Sequence, residues 1–155
     1  MKIGIFAASD VGLQIVSLFS EKKKEITCLI MDDKDRDNLN NQIQKTAACK
    51  NIFTSEDLTK PSTLKTLESL KVDLIVLAWW PYIIKKPLLN LPQLGFLNTH
   101  ASLLPYNRGR HYYFWNILDE DPFGVTLHWI DKDIDTGDIA FQSKLEKTWE
   151  DTGFS

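Results

Sequence analysis

The run Asp73-Leu74-Ile75-Val76-Leu77-Ala78 restricts the folds open to this chain more than any other segment. Five consecutive apolar residues do not suit a strand with one wet face. They suit a parallel strand covered on both sides. Ile3 to Ala8 and Ile26 to Met31 have the same character. Val11 to Glu21 places Val11, Ile15, Leu18 and Phe19 at helical spacing, with Asp10 as the expected N-cap. Asp33 to Lys50 is polar with a weak helical pattern, and Asn51 to Phe53 reads as a short third strand. Ser62 to Leu70 carries Leu64, Leu67 and Leu70 on a helical period. Strand and helix therefore alternate, which predicts a doubly wound, mainly parallel α/β sheet with helices on both faces. Ligands of such sheets bind beyond the carboxyl ends of the strands. Later, Gly95 to His100, Gly124 to Ile130 and Ile139 to Leu145 read as three more strands, and Tyr112 to Leu118 as a helix.

A chain of 155 residues fits a single domain, and 43% hydrophobic residues suffice for a core without staples. The net charge of −3 offers no field for nucleic acid or an anionic membrane. Cys28 and Cys49 lack metal-type spacing and read as buried or idle thiols. No apolar run is long enough to span a bilayer, and the N-terminus does not have the form of a signal peptide, so the cytoplasm is the expected compartment.

The turn Ala7-Ala8-Ser9-Asp10-Val11-Gly12 lacks both the glycine-rich dinucleotide fingerprint and the Walker sequence. Asn98-Thr99-His100 is sharper, because residues two apart on a strand face the same way. An amide that can donate to a developing oxyanion would then stand beside an imidazole that can move a proton. Taken alone, the pair reads first as a satisfied polar end to a strand. Asp131 to Asp138 holds four carboxylates in eight residues but lacks the glycine and glutamate offsets of a calcium loop. Its plain reading is a solvated turn held by Asx bonds. A carboxylate reaching His100 from there would orient the ring and favour its charged form. Trp79-Trp80-Pro81-Tyr82 follows the fourth strand, where aromatics can wall a flat heterocycle or serve as core. His128, inside an apolar strand, reads as a supporting core histidine. Ser102 lacks the nucleophile elbow of a hydrolase.

Two segments bring a resemblance. Asn98-Thr99-His100-Ala101-Ser102-Leu103-Leu104-Pro105 with Arg108-Gly109, and His128-Trp129-Ile130-Asp131-Lys132-Asp133-Ile134-Asp135-Thr136-Gly137-Asp138-Ile139, resemble the signature of the 10-formyltetrahydrofolate-dependent formyltransferases. The likeness is close over residues 73 to 146 and looser before them. It implies a Rossmann-like catalytic core and a catalytic set of Asn98, His100 and Asp135. It further implies a donor pocket that uses Trp80, Tyr82 and Ile84 with Asp131, Lys132 and Asp133, largely through backbone groups. The donor would be 10-formyltetrahydrofolate, with no metal. Asn98 and protonated His100 would stabilise the oxyanion, and Asp135 would raise the pKa of the imidazole.

Three acceptor classes are usual among the relatives. The first turn does not match the phosphate loop of glycinamide ribonucleotide enzymes. Methionyl-tRNA enzymes carry a second domain and a more basic surface. Sugar N-formyltransferases, acting on nucleotide-linked amino sugars, fit best, with Ser9, Asp10, Arg108 and Tyr112 as expected acceptor-side residues. Partners would be the two small molecules, with neither nucleic acid nor membrane, and a homodimer is left open. Arg110-His111-Tyr112-Tyr113-Phe114 departs from the small residues and proline that are common in relatives. The chain also ends at Ser155, where relatives continue into a further helix or region, so residues 1–155 are expected to be a catalytic domain without it. The competing reading is a folate-binding or sugar-nucleotide-binding module with little turnover.

Overall fold

The computed structural model describes residues 1–118, 121–146 and 148. They form two compact units, Met1–Phe96 and the residues from Leu97 onward. The fold is α/β, as the alternation predicts.

In the first unit, β1 (Ile3–Ala7) runs parallel to β2 (Ile26–Met31) on one side and to β4 (Leu74–Ala78) on the other, and β3 (Ile52–Thr54) pairs parallel with β2. All five residues of β1 are buried, which is why its sequence shows no alternation. Three helices accompany these strands: α1 (Ser9–Glu21), α2 (Asn40–Ala47) and α3 (Pro61–Leu70). Ile3, Ile5, Ala7, Val16, Met31, Ile43 and Val76 belong to the main core cluster. Gly12 lets α1 close onto β1, since a Cβ there would meet Ala7 backbone at 3.0 Å. Phe6 packs edge-on against Phe96 and Trp80. Cys28 is fully buried, and burial pushes its thiol up to about 12, so it is chemically quiet.

Two details of α1 differ from expectation. Asp10 lies in the first turn and Ala8 occupies the cap position, because the chain leaves β1 extended at Ala8 and turns at Ser9, whose φ is 62°. Asp10 still sits favourably near the positive end of the helix dipole. The buried stripe is centred on Gly12 and Val16, with Ile15 and Phe19 beside it, whereas Leu18 is exposed. The weakly patterned region after β2 holds α2 only from Asn40, because residues 32–39 form turns in which Asp35 accepts from Asn40 N–H.

β5 (Gly95–His100) begins at the end of the first unit. In the second unit β5 is antiparallel to β6 (Gly124–Trp129), which is antiparallel to β7 (Ile139–Lys144). The helix α4 spans Tyr112–Leu118. Residues 149–155, including the chain end at Ser155, lie outside the described residues.

Candidate active site

The register of β5 on β6 builds the site. It sets Asn98 opposite His128 and His100 opposite Thr126. Alternation then puts Asn98 and His100 on one face, with His128 directly across from the amide. Asn98 Nδ2 donates to His128 Nε2 at 3.1 Å. The Nδ1 of His128 donates to the carbonyl of Trp129 at 2.9 Å, because a carbonyl can only accept. That bond places the proton of a neutral ring on Nδ1 and leaves Nε2 as an acceptor. Asp135 Oδ1 stands 3.5 Å from the same Nε2. One unprotonated nitrogen cannot donate to the carboxylate while accepting from the amide. The orientation of Asn98 is thereby fixed, and its second amide hydrogen is left over.

His100 is buried, with Nε2 donating to the Asn107 carbonyl at 3.0 Å and Nδ1 3.7 Å from Asp135 Oδ2. The neutral ring thus carries its proton on Nε2 and turns a lone pair toward Asp135. The ring of Tyr112 lies edge-on at 4.8 Å. Burial pulls the His100 pKa below its ordinary 6.5, against the Asn107 carbonyl and the Asp135 charge, which both raise it. This corrects one expectation: Asp135 does favour the charged imidazole, but burial outweighs it, so the ring rests neutral near pH 7.

Asp135 takes a left-handed φ of 52°, a conformation that aspartate tolerates. Its Oδ2 accepts the Gly109 N–H at 2.8 Å. Burial pushes its pKa up, but the contact with His128, the Gly109 N–H and, when they are protonated, the two histidines bring it below the usual carboxylate range. Gly137 sets the loop's closure. A Cβ there would fall 1.9 Å from the Trp129 carbonyl oxygen, so no other residue fits without moving the backbone. Gly137→Ala is expected to cost about 1–3 kcal/mol of stability, as overpacking does. It should also displace Asp135. A urea midpoint unchanged from the parent chain would show that the loop yields freely.

Asp131 to Asp133 behave as the turn reading anticipated. Asp131 Oδ1 accepts from Asp133 N–H at 3.1 Å and from Thr136 Oγ1 at 2.7 Å. Lys132 and Asp133 are exposed. Asp131 shapes the loop by these bonds, and Ile134 is exposed. Trp80, Tyr82 and Ile84 belong to the first unit, where they line a cleft. Ser9 and Asp10 are bonded to each other, Oγ to Oδ1, at 2.8 Å, and Arg108 is exposed. Among the described residues no group of three His, Cys, Asp or Glu side chains could hold a metal ion.

The sequence reading passed over Asn107 and understated His128. The carbonyl of Asn107 holds the His100 ring, and its amide is tied to Asn116 and Asp121. The available signal was the residue type, since asparagine in a turn tolerates the left-handed φ of 53° that Asn107 takes. The His128 contact depends on strand register, which no single strand reveals. Ser102 is structural: its hydroxyl donates to Tyr106 O at 2.7 Å, while its carbonyl accepts from Thr126 Oγ1.

Known proteins resemble this chain in sequence and in fold. The family model described as formyl transferase matches residues 2–153. The chain is 31% identical over 146 residues to a methionyl-tRNA formyltransferase of Alkaliphilus oremlandii, an alignment that takes in 92% of this chain and 45% of that protein. It is 38% identical over 95 residues to the methionyl-tRNA formyltransferase of Methylacidiphilum infernorum, covering 61% of this chain and 30% of the relative. The chain thus spans less than half the length of these curated relatives. Among solved structures, a phosphoribosylglycinamide formyltransferase from Bacillus halodurans superposes with a TM-score of 0.79 at 25% identity, over 99% of this chain and 84% of that one. A 4-N formyltransferase from Francisella tularensis shares the fold, with a TM-score of 0.73 at 24% identity, over 95% of this chain and 57% of that one. With the family model matched almost end to end, the chain belongs to the 10-formyltetrahydrofolate-dependent formyl transferase family.

Proposed function

We propose that this chain carries the site that passes a formyl group from 10-formyltetrahydrofolate to a primary amine, and that the amine belongs to a nucleotide-linked amino sugar. The observation that carries the transfer reading is the joined set Asn98, His128, Asp135 and His100 within the second unit. A pure binding module has no use for a neutral buried imidazole beside an ionised carboxylate and an oriented amide.

The donor, when bound, supplies the formyl carbon and leaves with a proton on the nitrogen that carried it. Asn98 offers its spare amide hydrogen to the oxygen that becomes negative when the amine adds. His100 takes a proton from the added amine on Nδ1, its free nitrogen. The resulting imidazolium is held between the Asn107 carbonyl and Asp135, and it returns the proton to the leaving nitrogen. We assign Asp131, Lys132 and Asp133 to the donor through the loop they shape. The resemblance assigns Trp80, Tyr82 and Ile84 to the donor as well.

This role fixes a pH dependence. His100 must start neutral, so kcat/KM should be flat from about pH 7 upward until other groups titrate. It should fall on the acid side with a midpoint below 6.5, because burial lowers the His100 pKa. The same depression makes the unfolded chain take up the proton first. The His100 contribution to stability is therefore lost as pH falls below about 6.5. A rate that rises from pH 8 to pH 6 would mean the resting enzyme needs imidazolium, and the base role would fail.

The acceptor reading draws on the first turn. Asp10 is exposed at the start of α1, where a terminal phosphate would meet its charge, and the Gly12 N–H is taken by the Ala8 carbonyl. A net charge of −3 over these 155 residues is poorly matched to tRNA phosphates. A second reading, charged initiator tRNA as acceptor, draws on the identity to methionyl-tRNA formyltransferases. Competition decides between them. The chain is given one formyl donor and three acceptors together, namely a nucleotide-linked amino sugar, glycinamide ribonucleotide and charged tRNA. Mass spectrometry should find the formylated sugar as the main product. Formyl-methionyl-tRNA or formylated glycinamide ribonucleotide in its place would reassign the acceptor and leave the transfer site standing.

A further inference from the structure

The segment Asn107-Arg108-Gly109 touches both His100 and Asp135, and all of these residues lie in the second unit. Its first carbonyl accepts from His100 Nε2 at 3.0 Å, and its last N–H donates to Asp135 Oδ2 at 2.8 Å. How the imidazole faces the carboxylate therefore depends on where these three residues sit. We propose that Asn107 is a positioning residue for formyl transfer: its side-chain amide fixes this segment and so keeps the His100 proton on Nε2 and the basic Nδ1 toward Asp135. The proposal rests on the reading of His100 as the proton acceptor.

The first observation behind it is the amide itself. Asn107 Nδ2 donates to Asn116 Oδ1 at 2.7 Å and to Asp121 Oδ2 at 3.1 Å. A primary amide nitrogen has two hydrogens, and each meets an acceptor here. The second is the backbone. Asn107 has a φ of 53° and Gly109 a φ of 82°. The residue at 107 must tolerate a left-handed conformation and carry two donors, and asparagine does both. Ser102 Oγ donates to Tyr106 O and Tyr106 N–H to Leu103 O, which fixes the turn just before the segment. The Asn107 amide extends that order to the carbonyl that meets His100.

The third is α4. Tyr112 and Asn116 are four residues apart on it and share a face. Tyr112 packs its ring edge-on against His100 at 4.8 Å, while Asn116 takes the Asn107 amide. One helix face thus sets both the plane of the imidazole and the place of its hydrogen-bond acceptor. Asn116 is 1% exposed, so water does not compete for its bond to Asn107. The consequence is chemical. An imidazole whose acceptor wanders carries its proton on either nitrogen. The form with the proton on Nδ1 cannot take another from the amine at that position.

The test reads the ring directly, by nitrogen NMR of the histidines in the whole chain, with His100→Ala to assign the signal. In the parent, His100 should carry its proton on Nε2. Asn107→Gly keeps the left-handed backbone and the carbonyl but removes the amide. It should give a mixture of tautomers and a lower His100 titration midpoint, because the carbonyl that favours the charged ring is no longer held. Asp135, His128 and the Tyr112 ring also face His100, and this substitution leaves them in place. Transfer from 10-formyltetrahydrofolate to a nucleotide-linked amino sugar should lose about tenfold in kcat, the equivalent of one neutral hydrogen bond, with both KM values near those of the parent. Asn107→Asp turns a carboxylate against Asp121 and should disturb the ring as much. Adding Asp121→Asn returns a donor to the pair at the parent's net charge and should recover the tautomer and part of the rate. Thermal denaturation checks that each variant is folded. A parent tautomer retained in Asn107→Gly would overturn the proposal and leave the transfer reading standing. If that variant does not fold, the exchanged pair decides: failure to recover the Nε2 proton would overturn it equally. A tautomer mixture with unchanged kcat would show that His100 is not the proton acceptor, and the reading and the proposal would fall together.

Discussion

Replacing His100 with alanine is expected to lower kcat by roughly 10²–10⁴, the range lost with a positioned general base. Donor affinity should change little. The physical reason lies in the ring's surroundings. His100 is buried, its Nε2 proton is committed to the Asn107 carbonyl, and its Nδ1 lone pair is the free basic position. Nothing else in the described cluster can replace it. The Nε2 of His128 already accepts from Asn98, and Asp135 is held ionised at a pKa too low to carry a proton at neutral pH. Single-turnover kinetics with donor affinity measured in parallel separates the two effects. Equal losses of donor binding and of rate would make His100 a binding residue. Asp135→Asn tests the same chain of contacts from the other end. It keeps the shape but removes the charge that faces the imidazolium, so kcat should fall while KM for the donor stays near that of the parent.

Asn98→Ala should cost on the order of 10²–10³ in rate, as loss of a single oxyanion donor does. His128 makes the result more informative. If the histidine acts by orienting the amide, its substitution matters only while Asn98 is present. His128→Phe removes the acceptor for Asn98 Nδ2 and should slow transfer by up to roughly tenfold, the equivalent of one neutral hydrogen bond. In an Asn98→Ala background the same change should cost almost nothing further, because the two residues act as a unit. His128→Gln, which can still present an acceptor, should recover part of the loss. His128 is fully buried, so each variant will also lose stability, and rates must be compared among folded fractions. Additive losses in the double variant would reduce His128 to a packing residue.

The sequence by itself determined the α/β class and the position of nearly every strand. Buried parallel strands need unbroken apolar runs, and Ile3–Ala7 and Leu74–Ala78 carry them. It also determined that Asn98 and His100 share a face, since alternation along a strand is local geometry. The run around Asp135 was legible by itself only as a turn, which the Asx bonds of Asp131 bear out, and Asp135 was singled out by the resemblance.

Tertiary structure alone decided the rest. The buried face of α1 moved to Gly12 and Val16 because the helix starts at Ser9, and which stripe faces the sheet depends on how the chain leaves β1. The partner of Asn98 is His128 because β5 and β6 pair in one register among several that the sequence permits. The charge on His100 could not be read either. Opposing effects of burial, a carbonyl and a carboxylate act on it, and only the folded surroundings show that burial prevails. Local patterns set what each segment is. Register, burial and the balance of competing electrostatic effects arise between segments, and these determine what the site can do.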